Sequence, residues 1–384
     1  MLSNKRTIAL LICLGLVFTL ASYGFAQKVP IPFQYNSPEE YQKATGKGIE
    51  GYQEAPMLAS KTQAGELPAV KERLPKEPKV MVPVEEIGQY GGAWRRVWTG
   101  PSDSWGPRRL GHQYIIQYDA HGQHMLPNIA VDWEISDDAR AFTFYLREGI
   151  RWSDGVPFTA DDIVFQFEDV FGNKEITPSF PSWLTVSGKP VKVSKIDDYT
   201  VEFRFEEPYG MFLIPFARDS AHLYAPKHYM SQFHKDYADP EELQALMEKE
   251  GFDTWYELFL SKDDSWWVNN PDRPTIWTWK AANSSSAQRF RMERNPYFWH
   301  VDVEGNQLPY IDEVVHERVE DTEVMNLKAL AGEIDMQFRH MNVSNYPLFM
   351  EGRSKGDYRV FEWQAPIGGN PVIVFNETIE DPVL

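Results

Sequence analysis

Residues 141–171 constrain this chain most, because the apolar period changes there from two residues to nearly four within a short span. Phe142, Phe144 and Leu146 fall on one face of an alternating run, and Thr143, Tyr145 and Arg147 on the other, which predicts a half-buried strand over 141–147. Gly149 and Asp154-Gly155 supply turns. Thr159 with Asp162 three residues later forms a capping-box pattern, and Ile163, Phe167, Val170 and Phe171 follow at helical spacing. Further strands are predicted at 93–99, where aromatic and apolar residues alternate with Arg, and at 199–205, with Val201, Phe203 and Phe205 inward and Glu202 and Arg204 outward. Further helices begin at Asp239-Pro240 and at Asp321. The second should end at Gly251; the third should run to Ala331, with Val324, Leu327 and Ala331 on one face and Gly332 as its stop. Paired strands with interspersed helices imply a mixed α/β chain of the α+β class, without strict βαβ alternation.

The two ends read differently. Lys5 and Arg6 precede an apolar run to Tyr23, and Gly24-Phe25-Ala26 places small residues where a signal peptidase would cut before Gln27. Residues 1–26 are therefore expected to be a secretory signal peptide, the rival being an uncleaved anchor. Cleavage would remove Cys13, the only cysteine, so the mature chain would have neither disulfides nor thiolate metal sites. Ile12 precedes Cys13 in mid-run, which does not fit lipidation. Residues 27–88 carry recurrent Pro and frequent charge and are expected to be an extended leader, apart from a short helix at Pro38-Glu39-Glu40-Tyr41.

A formal charge of −18 argues against a nucleic-acid partner, since phosphate binding needs a basic face. Two catalytic patterns are missing: there is no phosphate loop and no His-Glu-x-x-His. His121 and His124 flank a glycine and read as a turn, so no metal or cofactor is expected. The doublets Asp137-Asp138, Asp161-Asp162, Asp197-Asp198 and Asp263-Asp264 read as caps and turns, because a glycosidase needs carboxylates facing each other across a bond. Asp302-Val303-Glu304-Gly305-Asn306 lacks the spacing of a calcium loop and also reads as a turn.

Several segments resemble the family 5 extracellular solute-binding proteins, the peptide- and nickel-binding type of bacterial ABC importers. They are Leu126-Pro127-Asn128-Ile129-Ala130-Val131-Asp132-Trp133-Glu134, the stretch from Phe142 through Arg147-Glu148-Gly149-Ile150-Arg151-Trp152-Ser153-Asp154-Gly155 to Phe165, Glu293-Arg294-Asn295-Pro296-Tyr297-Phe298-Trp299, Leu330-Ala331-Gly332-Glu333-Ile334-Asp335, and Val374-Phe375-Asn376. The second is the specific one; its strand, turn and capped helix are scaffold, so it speaks for fold and not for ligand. Asn306-Gln307-Leu308-Pro309-Tyr310-Ile311-Asp312 resembles a branch containing oligosaccharide binders.

The resemblance implies a periplasmic binding protein-like type II architecture of two lobes, the second largely missing from this sequence. It divides the chain into 1–26 signal peptide, 27–88 leader, 88–111 with 217–345 as first-lobe core, 112–216 as an inserted subdomain, and 346–384 as crossover. It implies a periplasmic or extracellular monomer that performs no chemistry, captures an oligopeptide, or alternatively an oligosaccharide, and delivers it by lobe closure to ABC permease subunits. A secreted glycoside hydrolase and a chaperone-like peptide binder are the alternatives of other classes. Candidate ligand-wall residues are Trp98 and Trp105 beside a Gly-Pro turn, Trp277 and Trp279 on one strand face, and Trp363 before Gly369 and Asn370, with plain core packing as the competing role for each Trp. The family's anchor for a peptide amino terminus would lie beyond residue 384.

Overall fold

The computed structural model describes residues 33–119, 122–264 and 270–362. The predicted signal peptide and His121 lie outside them, as do Trp363, Gly369 and Asn370.

Strand Ala141–Leu146 sits inside a four-stranded antiparallel sheet ordered Lys192–Asp197, Thr200–Arg204, Ala141–Leu146, Ala130–Ile135. Its apolar face is an aromatic layer: Phe144 stacks on Phe216 at 4.5 Å, Phe142 meets Phe212 at 4.7 Å, and Phe203 meets Phe216 edge-on at 5.2 Å. Phe216 belongs to helix Leu213–Asp219, which closes that face. Such pairs add to the area they bury because ring edges and faces carry opposite partial charge.

The capping box forms as predicted. Helix Ala160–Phe165 starts after Thr159, and Asp162 Oδ2 accepts from Thr159 N at 3.0 Å. The same carboxylate accepts from Trp152 Nε1 at 3.1 Å and, through Oδ1, from Lys227 N at 3.1 Å, so one cap also joins two distant turns. Helix Pro240–Glu250 likewise begins at Asp239, whose carboxylate takes the amides of Glu241 and Glu242, and is capped by Gly251.

A second four-stranded sheet is mixed. Its order is Trp279–Ala281, Arg289–Arg294, Glu313–Arg318, Ala93–Trp98, and only the last pair is parallel. The parallel pairing sets Ala93–Trp98 beside a strand more than two hundred residues later in the chain.

Three sequence expectations need correction. Residues 33–81 are not an extended leader. They contain helices Pro38–Thr45 and Pro56–Gln63 and strands Gln34–Tyr35 and Lys79–Met81, which form a third sheet with His300–Asp302. Tyr41, Leu74, Val80 and Val301 make its small core. Proline density misled because Pro38 and Pro56 start helices, where the missing amide proton costs nothing. Arg147, placed outward by alternation, is 1 % exposed. It lies just past the strand end, where the arm covers it, and donates to the carbonyls of Asn36, Glu77 and Asn128. In helix Thr322–Leu330 the buried residue is Met325, while Leu327 is 65 % exposed.

Among the described residues no helix is long and apolar enough to cross a membrane.

Candidate functional site: the crossing seam

Strand Ala93–Trp98 is followed by Gly100, whose φ of +114 turns the chain sharply against the Arg318 side chain, a conformation open chiefly to glycine. The turn Pro101–Asp103 follows and leads into the short helix Trp105–Arg108. This places Asp103, only 4 % exposed, above the end of the strand.

Segment 335–341 crosses the same strand after helix Thr322–Leu330. Asp335 N donates to Arg95 O at 3.0 Å, and its carboxylate takes Arg95 N and Arg95 Nη2, both at 2.6 Å. Burial raises the Asp335 carboxyl, but the bonds from Arg95 outweigh it and hold the group below the usual carboxylate range. Trp94 Nε1 donates to Met336 O, and Gln337 Nε2 donates to Val97 O at 3.1 Å. Arg339 Nε donates to Asp103 Oδ1 at 2.6 Å, and His340 Nε2 lies 2.8 Å from Oδ2. The segment is therefore held by charged bonds at both ends, the inner one formed on the buried Asp103 carboxylate.

Beside it runs an open groove of about 710 Å³, lined by Thr322, Glu323, Asn326 and Leu327 on one side and by His340 and Asn342 on the other. His340 belongs to both the groove and the Asp103 clamp.

The structure sorts the predicted wall residues. Trp98 is 1 % exposed and packs against Phe290 and His316 in the second sheet's core. Trp279, 3 % exposed, belongs to that same core. Trp277, 7 % exposed, precedes the strand, belongs to the other core, and donates from Nε1 to Tyr224 Oη at 3.1 Å. The expected shared face of Trp277 and Trp279 does not form, because pairing with Arg294 begins only at Trp279. These three are core residues, where a large ring fills volume no smaller side chain fills. Among the described candidates Trp105 alone is open, at 44 % exposure, with Arg109 4.4 Å and Arg108 5.0 Å from its ring. It sits two residues beyond Asp103.

Asp103, Arg339 and His340 were not singled out in the sequence, since their meeting depends on a contact across more than two hundred residues. The only signal was Asp335, at the end of the Leu330–Asp335 segment.

The acidic doublets are engaged structurally. Asp161 pairs with Lys195, Asp162 serves the cap, and Asp263 pairs with Arg273. Asp302 is fully buried and accepts from Glu304 N, Asn306 N, Asn306 Nδ2 and Tyr310 Oη, which makes it a turn. Among the described residues no three His, Cys, Asp or Glu side chains are grouped to hold a metal ion.

Two four-stranded sheets with separate cores and an arm that pairs with a third sheet share the periplasmic type II architecture of solved solute-binding proteins. Residues 124–383 match the model of the bacterial extracellular solute-binding proteins, family 5, and the chain belongs to that family. A periplasmic alpha-galactoside-binding protein of Rhizobium meliloti (strain 1021) is 30 % identical over 312 residues, which is 76 % of this chain and 42 % of that protein. A solved oligopeptide-binding protein OppA superposes with a TM-score of 0.81 at 47 % identity, covering 86 % of this chain and 52 % of the other. The periplasmic binding protein MelB of Agrobacterium fabrum C58, solved with stachyose, gives 0.64 at 26 % identity over 80 % of this chain and 46 % of its own. The chain thus spans about half the length of these relatives or less.

Proposed function

We propose that this chain captures a solute outside the cytoplasm for a bacterial ABC importer, binding an oligopeptide and presenting it to membrane permease subunits by lobe closure, without chemical turnover. The observation that carries this reading is the family match over residues 124–383, joined to 47 % identity with a solved oligopeptide-binding protein. Export through a signal peptide cleaved near Ala26 and action as a monomer belong to the same reading. The ligand wall on this side is assigned to Trp105 and the turn 100–105, with Trp363, Gly369 and Asn370 contributing from the crossover.

A second ligand class, an oligosaccharide, is favoured by a specific observation: the alpha-galactoside-binding relative and the stachyose complex align over 76 % and 80 % of this chain. Sugar rings would lie on the open Trp105 indole. A thermal-shift panel on the full-length protein separates the two, using di- to pentapeptides, raffinose-type galactosides, and cello- and xylo-oligosaccharides. A ligand at a hundred times its dissociation constant adds about 2.7 kcal/mol and raises the melting temperature visibly. A shift with peptides alone supports the first reading, a shift with sugars alone the second, and no shift in either class rejects both.

A further inference from the structure

Strand Ala93–Trp98 holds a guanidinium with too few partners. Arg96 is 1 % exposed and lies between the rings of Trp94, 5.2 Å away, and Phe338, 5.0 Å away. Its Nη1 donates to Gly106 O at 3.3 Å, but neither Nε nor Nη2 has a hydrogen-bond partner among the described residues. A buried cation in that state is destabilising unless an anion comes within reach. Asp103 is the neighbouring anion: burial pulls the Arg96 guanidinium down to about 10, and the Asp103 charge opposes that. Yet both oxygens of Asp103 are bonded to Arg339 and His340 of the crossing segment. Phe338, which covers Arg96, directly precedes Arg339. The crossing segment thus takes the carboxylate and covers the competing cation at once.

We propose that Asp103 is a two-position switch at the crossing, bonded to Arg339 and His340 while segment 335–341 is seated on the strand and to Arg96 when that segment withdraws. The inference rests on the reading of a binding protein that changes shape around its solute, and it places one carboxylate between two arrangements of segment 335–341. The seated state has two charge-assisted bonds and an unsatisfied guanidinium. The withdrawn state loses those bonds and satisfies Arg96. Offsetting terms of this kind keep two arrangements close in free energy, which a hinge requires. The Arg95–Asp335 pair takes no part in the exchange, since its side chains are 56 % and 38 % exposed and such pairs contribute little.

Side-chain NMR of the Arg96 Nε–H group tests the switch, with the resonance assigned by its loss in Arg96→Lys. In the double variant Arg339→Gln/His340→Gln, Asp103 is released; the Arg96 resonance is expected to move downfield and its exchange with water to slow about tenfold. Adding Asp103→Asn is expected to reverse both changes. The single variants Arg339→Gln and His340→Gln should give partial responses, which preserves the test if the double variant does not fold. An Arg96 resonance unmoved in all three, or a change that persists with Asp103→Asn, overturns the proposal. No solute is present in this experiment, so its failure rejects the switch alone, whereas failure to bind any solute rejects the transport reading alone.

Discussion

The guanidinium of Arg147 lies over the indole of Trp299, 5.3 Å from the ring centroid, in a site where both side chains are almost fully buried. From there it donates to the backbone carbonyls of Asn36, Glu77 and Asn128, so one side chain joins the first sheet, the N-terminal arm and the segment entering strand His300–Asp302. Replacing Arg147 by Met keeps much of the stem's packing but leaves these carbonyls buried without donors. The expected loss is about 3 kcal/mol or more in chemical denaturation. A loss below 1 kcal/mol would show that water satisfies the arm instead.

The arm is tied a second way at Gly305. Its φ is +85, and a Cβ there would stand 2.0 Å from Gly51 O. Gly305→Ala is therefore expected to separate the arm from the turn that holds the Gln53–Asn306 bridge. The check is limited proteolysis within 48–66: cleavage should quicken there while the 141–205 sheet stays protected.

Acid should weaken the fold. Burial holds His316 and His300 well below their ordinary value of 6.5, so both are neutral when folded. The unfolded chain takes up these protons below 6.5 and the folded chain refuses them, so stability falls as pH drops through that range. Each refused proton is worth about 1.4 kcal/mol per pH unit. Asp162 acts in the opposite sense: burial raises it from 3.8 to about 6, so its contribution is full below 3.8 and is lost as pH rises through about 6. The histidines outnumber it. Urea midpoints measured from pH 6.5 to 4.5 should decline, and His316→Phe, which suits the ring cluster of Trp98 and Phe290, should remove about one proton's worth of that decline.

Two of the predicted tryptophans separate core from surface. Trp98→Ala is expected to cost about 3 to 5 kcal/mol, because a fully buried ring leaves a cavity. Trp105→Ala should cost under about 1 kcal/mol while weakening solute binding severalfold. The denaturation midpoint and the binding isotherm of each variant give the answer.

Local chemistry was legible in the sequence and long-range pairing was not. The 141–146 strand, the Thr159, Asp239 and Asp321 caps and the Gly332 stop each depend on residues a few positions apart, and they appear where expected, whereas residues 166–171 leave the α-helical pitch for a π-helix. Arg147 was misplaced because alternation describes a free strand and says nothing of an arm folding over its end. Residues 33–81 were misjudged because composition cannot reveal that Val80 pairs with Val301. At the seam, the sequence named Trp98 and Trp105 alike as rings beside a turn and could not tell the buried one from the exposed one, whereas the Asp103 clamp needed Arg339 and His340 to return to the strand.

Capture without turnover is the proposed behaviour of this chain. Isothermal titration of the full-length protein with the solute found by thermal shift, followed by chemical recovery of that solute, tests it most directly. One solute bound per chain and recovered intact is the predicted result. Recovery of cleaved solute, or no heat with any peptide or oligosaccharide, would contradict it.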